Sequence, residues 1–150
     1  MTEYLSLEDV LTLVDDLCVG PLQDIGLLDS AVHRPRVTVF GRDAYPDVDS
    51  KAAVLLESVV RHHALVDGDK RLGWLAVVVF YGLNDIILNA PDDDAYDLVI
   101  AMAGGTVTYE QAASAWPNGT DGSDRSARPA GRDDSAAARS DLLGVLACRC

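Results

Sequence analysis

Residues 72–83 read Leu-Gly-Trp-Leu-Ala-Val-Val-Val-Phe-Tyr-Gly-Leu, and whether this run is strand or helix decides the fold. Val77, Val78 and Val79 in succession, taken alone, favour a buried strand, because β-branched side chains pack well on a pleated surface. Length argues otherwise, since the run outlasts the usual strand of roughly 5–6 residues. A lone central strand would also leave its backbone groups without partners in a chain that offers almost no other strand signal. The run is therefore expected to be a central helix, buried all round.

The segments on either side follow the same logic. Upstream, Asp49 or Ser50 can cap a helix whose apolar positions Ala52, Leu55, Leu56, Val59 and Val60 recur at steps of three and four. His63 continues that stripe and is expected to face inward. Val37 to Phe40 is the one β-prone run, closed by Gly41 and Tyr45-Pro46, and predicts an extended flap. Ile25 to Val32 predicts a short helix stopped by Pro35. Ser6, with Asp9 three residues on, caps an amphipathic helix through Val10, Leu11, Leu13, Val14 and Leu17 that ends near Gly20-Pro21. Downstream, Asp92 to Asp94 place negative charge at the start of a helix over Ala95 to Ala103, ended by Gly104-Gly105, and Thr108 to Trp116 predicts a last short one. The expected fold class is all-α with one small extended flap.

Composition bounds the rest. With 150 residues, 49% of them apolar, the chain can build one core without staples. A composition break falls near Pro117, beyond which Gly, Ser, Pro and Asp replace large apolar residues up to Ser140, so 1–116 reads as the folded domain and 117–150 as a disordered tail. Five Asp and five Arg balance within that tail, which leaves residues 1–116 carrying the whole net charge of −12. Such a charge repels a polyanion, so no direct nucleic-acid partner is expected. No apolar stretch reaches the roughly 18–20 residues of a membrane span, and Glu3, Glu8 and Asp9 stand where a secretory leader would be basic, so a cytoplasmic protein with no membrane partner is expected. Cys18, Cys148 and Cys150 form no C-x-x-C pair and are expected to be reduced.

Residues 63–71 read His-Ala-Leu-Val-Asp-Gly-Asp-Lys-Arg, the one segment where several chemically capable side chains crowd together. Lys70 and Arg71 stand at a helix start, where the backbone dipole is already positive and each cation costs about 0.3–1 kcal/mol. An anion would offset that cost. Free N–H groups, a glycine that lets the backbone approach closely and two cations make a phosphate cradle. Asp67 and Asp69 answer the same charges equally well, one as a cap and one as a salt-bridge partner. If the anion is a nucleoside polyphosphate, Asp67 is placed to hold Mg²⁺, which takes one or two carboxylates plus phosphates and water. His63 can then remove a proton from an attacking hydroxyl. His33, His62 and His63 are not expected to form a metal trio, because adjacent helical residues point about 100 degrees apart.

The same segment resembles the Fic/Doc family motif, H-x-F-x-D/E-G-N-G/K-R, and Lys70 before Arg71 makes it similar to the Doc branch. Gly26-Leu27-Leu28-Asp29-Ser30-Ala31-Val32 with Arg34-Pro35, Phe40-Gly41, Tyr45-Pro46 and Lys51-Ala52-Ala53 also resemble Doc-like proteins, and the likeness runs over about residues 4–105. The resemblance implies a Fic/Doc-type helical bundle with a small flap over the site. It implies His63 as catalytic base, Asp67 as the magnesium-binding acid, Gly68 and Asp69 in the anion-holding loop, and Lys70 and Arg71 as phosphate contacts, with ATP and Mg²⁺ as the cofactors.

Most members transfer AMP and carry a second arginine three residues after the first, where this chain has Trp74. Doc-like members also lack it. The resemblance to them implies transfer of a terminal phosphoryl group to a threonine of elongation factor Tu, a translation factor, and a Phd-like antitoxin as partner. A Fic-type adenylyltransferase and a catalytically weakened binding module are the alternatives. Leu65 replaces the motif's phenylalanine, and Asp69 replaces an asparagine that donates to phosphate. An ionised carboxylate has no proton to donate and repels the nucleotide, so Asp69 either adds a metal ligand or weakens the site.

Overall fold

The computed structural model of the chain describes residues 2–88 and 92–115; the expected tail over 117–150 and its boundary near Pro117 lie outside them. The described residues form six α-helices, α1 (Leu7–Asp16), α2 (Ile25–His33), α3 (Val48–His62), α4 (Asp69–Leu83), α5 (Asp92–Ala103) and α6 (Tyr109–Ala115). A 3₁₀ turn, Arg34–Arg36, follows α2, and two short strands, β1 (Thr38–Val39) and β2 (Arg42–Asp43), pair antiparallel between it and α3. The described residues are all-α apart from this flap, as the sequence predicts.

Local chemistry sets the helix starts. Ser6 and Asp9 make a reciprocal capping box on α1, with Asp9 N–H donating to Ser6 Oγ at 3.1 Å and Ser6 N–H donating to Asp9 Oδ2 at 3.0 Å. Asp24 caps α2 through the N–H groups of Gly26 and Leu27. The cap of α3 is Asp47, whose carboxylate accepts from Ser50 N–H at 2.7 Å, so the helix starts earlier than the expected Asp49 or Ser50. Asp49 is instead spent on tertiary structure, accepting from the buried Tyr81 hydroxyl at 2.8 Å. Burial, followed by that bond, pushes the Tyr81 phenol well above its ordinary value.

Residues 72–83 are helical, within α4, and pack against α3, α1 and α5. Burial is not complete around this helix, because Trp74 and Val78 are half-exposed. The more enclosed element is α3, which touches α2, α4, α5, α6 and the 3₁₀ turn, and in which every residue from Lys51 to Val60 is buried. Its sequence disguises this because Lys51, Glu57 and Ser58 break the apolar pattern. All three are paired. Arg34 Nη1 donates to Glu57 Oε1 at 3.0 Å and to Ser58 Oγ at 2.9 Å, and no buried side-chain N or O atom among the described residues lacks a partner. α3 and α4 approach closely at Gly73, where a Cβ would lie 2.9 Å from Val60 Cγ1 and 3.0 Å from Leu56 Cδ1.

The flap pairs Thr38 with Asp43 and Val39 with Arg42, turning through Phe40 and Gly41, both at positive φ (49° and 75°), the backbone that matches a two-residue hairpin turn. Its base is tied down. The buried Lys51 ammonium donates to Asp43 Oδ2 at 2.9 Å and to the Tyr45 carbonyl at 2.5 Å. Burial alone would lower the Lys51 pKa; the bond to Asp43 and its neighbours outweigh that and raise it. Phe40 at the tip is fully exposed.

Candidate active site

The segment from 63 to 71 begins where α3 stops. His63 caps that helix in the left-handed conformation, φ 51° and ψ 49°, which turns the chain out of the helix. The inward orientation expected from the stripe is therefore wrong. Periodicity extrapolates a helix that has already ended, and the His63 side chain is 76% exposed. Non-glycine residues adopt this backbone at a cost of about 1 kcal/mol or more, which recurs where function requires a particular placement.

From Ala64 to Gly68 the loop is held mainly by main-chain bonds to the α1–α2 connection. Gln23 and Asp24 N–H groups donate to the Ala64 carbonyl at 2.8 and 3.1 Å, Val66 N–H to the Pro21 carbonyl at 3.0 Å, and Gly20 N–H to the Asp67 carbonyl at 3.0 Å. Leu65, in the motif's phenylalanine position, is buried and forms an isolated antiparallel bridge with Leu22. It packs the loop onto the core. Gly68 lies at φ 98°, and a Cβ there would sit 2.5 Å from the Val19 side chain, so conformation and space both demand glycine. Residues 19–24 thus form a second wall of the site. Sequence reasoning missed them because main-chain bonds leave no residue-type signature.

Gly68 is also the N-cap of α4 and supplies no side-chain cap to the first-turn N–H groups. Lys70 and Arg71 project from that turn into solvent. Asp67 is 86% exposed, with Oδ2 4.0 Å from Arg71 Nη2, a loose surface pair of little energetic weight. Asp69 is different. Its side chain is only 11% exposed, Oδ1 accepts from Leu65 N–H at 3.1 Å, and Oδ2 lies 3.8 Å from His63 Nδ1. Burial raises the Asp69 pKa above the ordinary value, against the opposing effects of the Leu65 N–H and His63. Asp69 therefore points at Leu65 and His63 and does not clasp Lys70 or Arg71.

The structure brings His63 and Asp69 together, and Asp67 and Arg71 together, on one turn around Gly68. An exposed imidazole, an exposed carboxylate, two exposed cations and an uncapped helix start are the parts needed to receive an anion and deprotonate a nearby group. Trp74, at the position of the motif's second arginine, packs against the core.

Comparison with known proteins agrees with this architecture. Residues 4–81 match the model of the Fic/DOC family. The chain is also 53% identical over 95 residues to the protein named Toxin Doc from Mycolicibacterium smegmatis (strain ATCC 700084 / mc(2)155), an alignment covering 62% of this chain and 73% of that protein. With the family model matching more than half its length and a relative 53% identical beside it, the chain belongs to the Fic/DOC family.

Proposed function

We propose that the chain is a Doc-type toxin of a toxin–antitoxin pair, an enzyme that moves the terminal phosphoryl group of ATP to a hydroxyl side chain of a translation factor similar to elongation factor Tu. The observation that carries this reading is the exposed imidazole of His63 beside the uncapped amino end of α4, with Asp67, Lys70 and Arg71 on the same short stretch. The relative named Toxin Doc supports the toxin part, and the partner in this reading is a separately encoded Phd-like antitoxin that holds the enzyme inactive. The catalytic unit is residues 1–116, acting in the cytoplasm. Among the described residues no helix is long and apolar enough to cross a membrane.

The residues divide the work by chemistry. First-turn N–H groups of α4 and the cations of Lys70 and Arg71 receive the phosphates, and Gly68 gives the loop the backbone turn that presents them. The donor set fits magnesium arriving with nucleotide. Asp67 offers one exposed carboxylate, and among the described residues no group of three acidic, histidine or cysteine side chains would hold an ion alone. When bound, Mg²⁺ neutralises charge on the phosphate oxygens. His63 takes the proton of the target hydroxyl on Nε2 as that oxygen bonds to the γ-phosphorus. The bond from this phosphorus to its bridging oxygen breaks, and ADP leaves.

Trp74 in place of a second arginine favours phosphoryl over AMP transfer. ATP labelled at the γ-phosphate is expected to label the acceptor, and ATP labelled at the α-phosphate is not; the reverse would assign an adenylyltransferase. His63→Ala is expected to lower transfer by about 10²-fold or more with an unchanged circular dichroism spectrum. Undiminished transfer would remove His63 from the mechanism. Absence of binding heat with millimolar Mg·ATP would leave a binding module without nucleotide chemistry.

A further inference from the structure

We propose that Asp69 is a positioning residue for His63: its outer carboxylate oxygen holds the imidazole Nδ1–H, leaving Nε2 unprotonated and free to act as the base. The inference rests on the reading of His63 as the base, and it reverses the part expected for this residue, a weakened phosphate contact in the anion-holding loop.

The two carboxylate oxygens have separate tasks. Oδ1 is fixed by the Leu65 N–H at 3.1 Å, and the side chain is 11% exposed, so the group cannot swing away. Oδ2 is thereby aimed at His63, 3.8 Å from Nδ1. That separation is an ion-pair distance, longer than a hydrogen bond by about 1 Å. The imidazole is the movable partner, 76% exposed at the end of α3, where solvent leaves it room to turn toward Oδ2. Catalytic hydrogen bonds are commonly long in unliganded enzymes and tighten when substrate arrives.

The chemistry makes aspartate and asparagine opposites here. Neutral imidazole carries one proton on either Nδ1 or Nε2, and the partner on one nitrogen selects the state of the other. A carboxylate only accepts, so it selects Nδ1–H and leaves the lone pair on Nε2. Asparagine in the same rotamer keeps its oxygen on the Leu65 N–H and places an NH₂ donor where Oδ2 now lies. That donor makes Nδ1 an acceptor and moves the proton to Nε2, the wrong nitrogen for a base. Where the family motif has asparagine, the imidazole has to be oriented by another group.

The test uses the full chain with ¹⁵N-labelled histidine, without nucleotide, at a pH where the imidazole is neutral. Long-range ¹H–¹⁵N spectra are expected to show the Nδ1–H tautomer of His63 in the wild type and a shift toward Nε2–H in Asp69→Asn. The same tautomer in both proteins overturns the proposal. Kinetics supply the second arm. With Mg·ATP and a protein acceptor, Asp69→Asn is expected to lower kcat by about 10²-fold with the KM for ATP little changed. A raised kcat with a lowered KM would mean that position 69 faces the nucleotide, and would also overturn it. The spectra are independent of turnover, so a wild type that transfers nothing removes the functional reading while the tautomer result still decides this one.

Discussion

The Asp69 carboxyl is buried enough to titrate above its ordinary value, and this links the geometry of the site to the stability of the fold. A carboxyl raised in the folded state favours folding when neutral. That contribution is complete below the ordinary aspartate range near pH 4 and is lost as pH rises through the raised value. The ionised group is therefore a cost at neutral pH, and Asp69→Asn is expected to have the higher urea midpoint at pH 7. The gap should narrow as pH falls toward about 4; a gap that widens on acidification would show that the carboxylate is stabilised by its surroundings. A more stable but slower variant would be an instance of the trade between stability and activity. The candidate site was legible as one segment, because the spacing of His63, Asp67, Gly68, Lys70 and Arg71 resembles a family motif. Their directions were not. The stripe that carried His63 inward assumed a helix continuing past His62, and nothing in residue type announced the left-handed cap.

Among the elements, the pairing of α3 with α4 positions the site, because the end of one and the start of the other bracket the loop. Gly73 is the pinch point between them. Gly73→Ala would gain about 1 kcal/mol in helix propensity, while the added carbon, 2.9 Å from Val60 Cγ1, would cost about 1–3 kcal/mol of overpacking. Val60 is β-branched and cannot rotate aside cheaply in a helix, so the overpacking wins and the variant is expected to unfold at lower urea with an unchanged slope. A higher midpoint would show that Leu56 and Val60 give way freely. Among the described residues the flap and most helices were legible from caps, periodicity and turn residues, and α4 from the length of its apolar run. The central role of α3 was hidden, because Lys51, Glu57 and Ser58 read as surface positions until Asp43, Arg34 and the Val54 carbonyl are seen to satisfy them. Partners distant in sequence decide whether a polar residue is inside, and spacing along one helix does not contain them.

At the scale of the molecule, the whole net charge of −12 falls within residues 1–116. Like charges crowded on one small domain oppose its compact state, and salt screens them over a Debye length of about 10 Å at 0.1 M. The thermal midpoint is therefore expected to rise as NaCl is increased from near zero to about 0.5 M. A falling midpoint would mean that attractive pairs such as Arg34–Glu57 outweigh the repulsion. Distant segments are also joined at this scale, since residues 20–24 and 64–67 are stitched together through amide and carbonyl atoms. At its exposed positions a seam of that kind is indifferent to the side chain. Gln23 and Val66 can be exchanged for other side chains in a mutational scan with little penalty, whereas a proline at either position would remove an N–H from the seam and open the site from behind, through residues whose own side chains take no part in the chemistry.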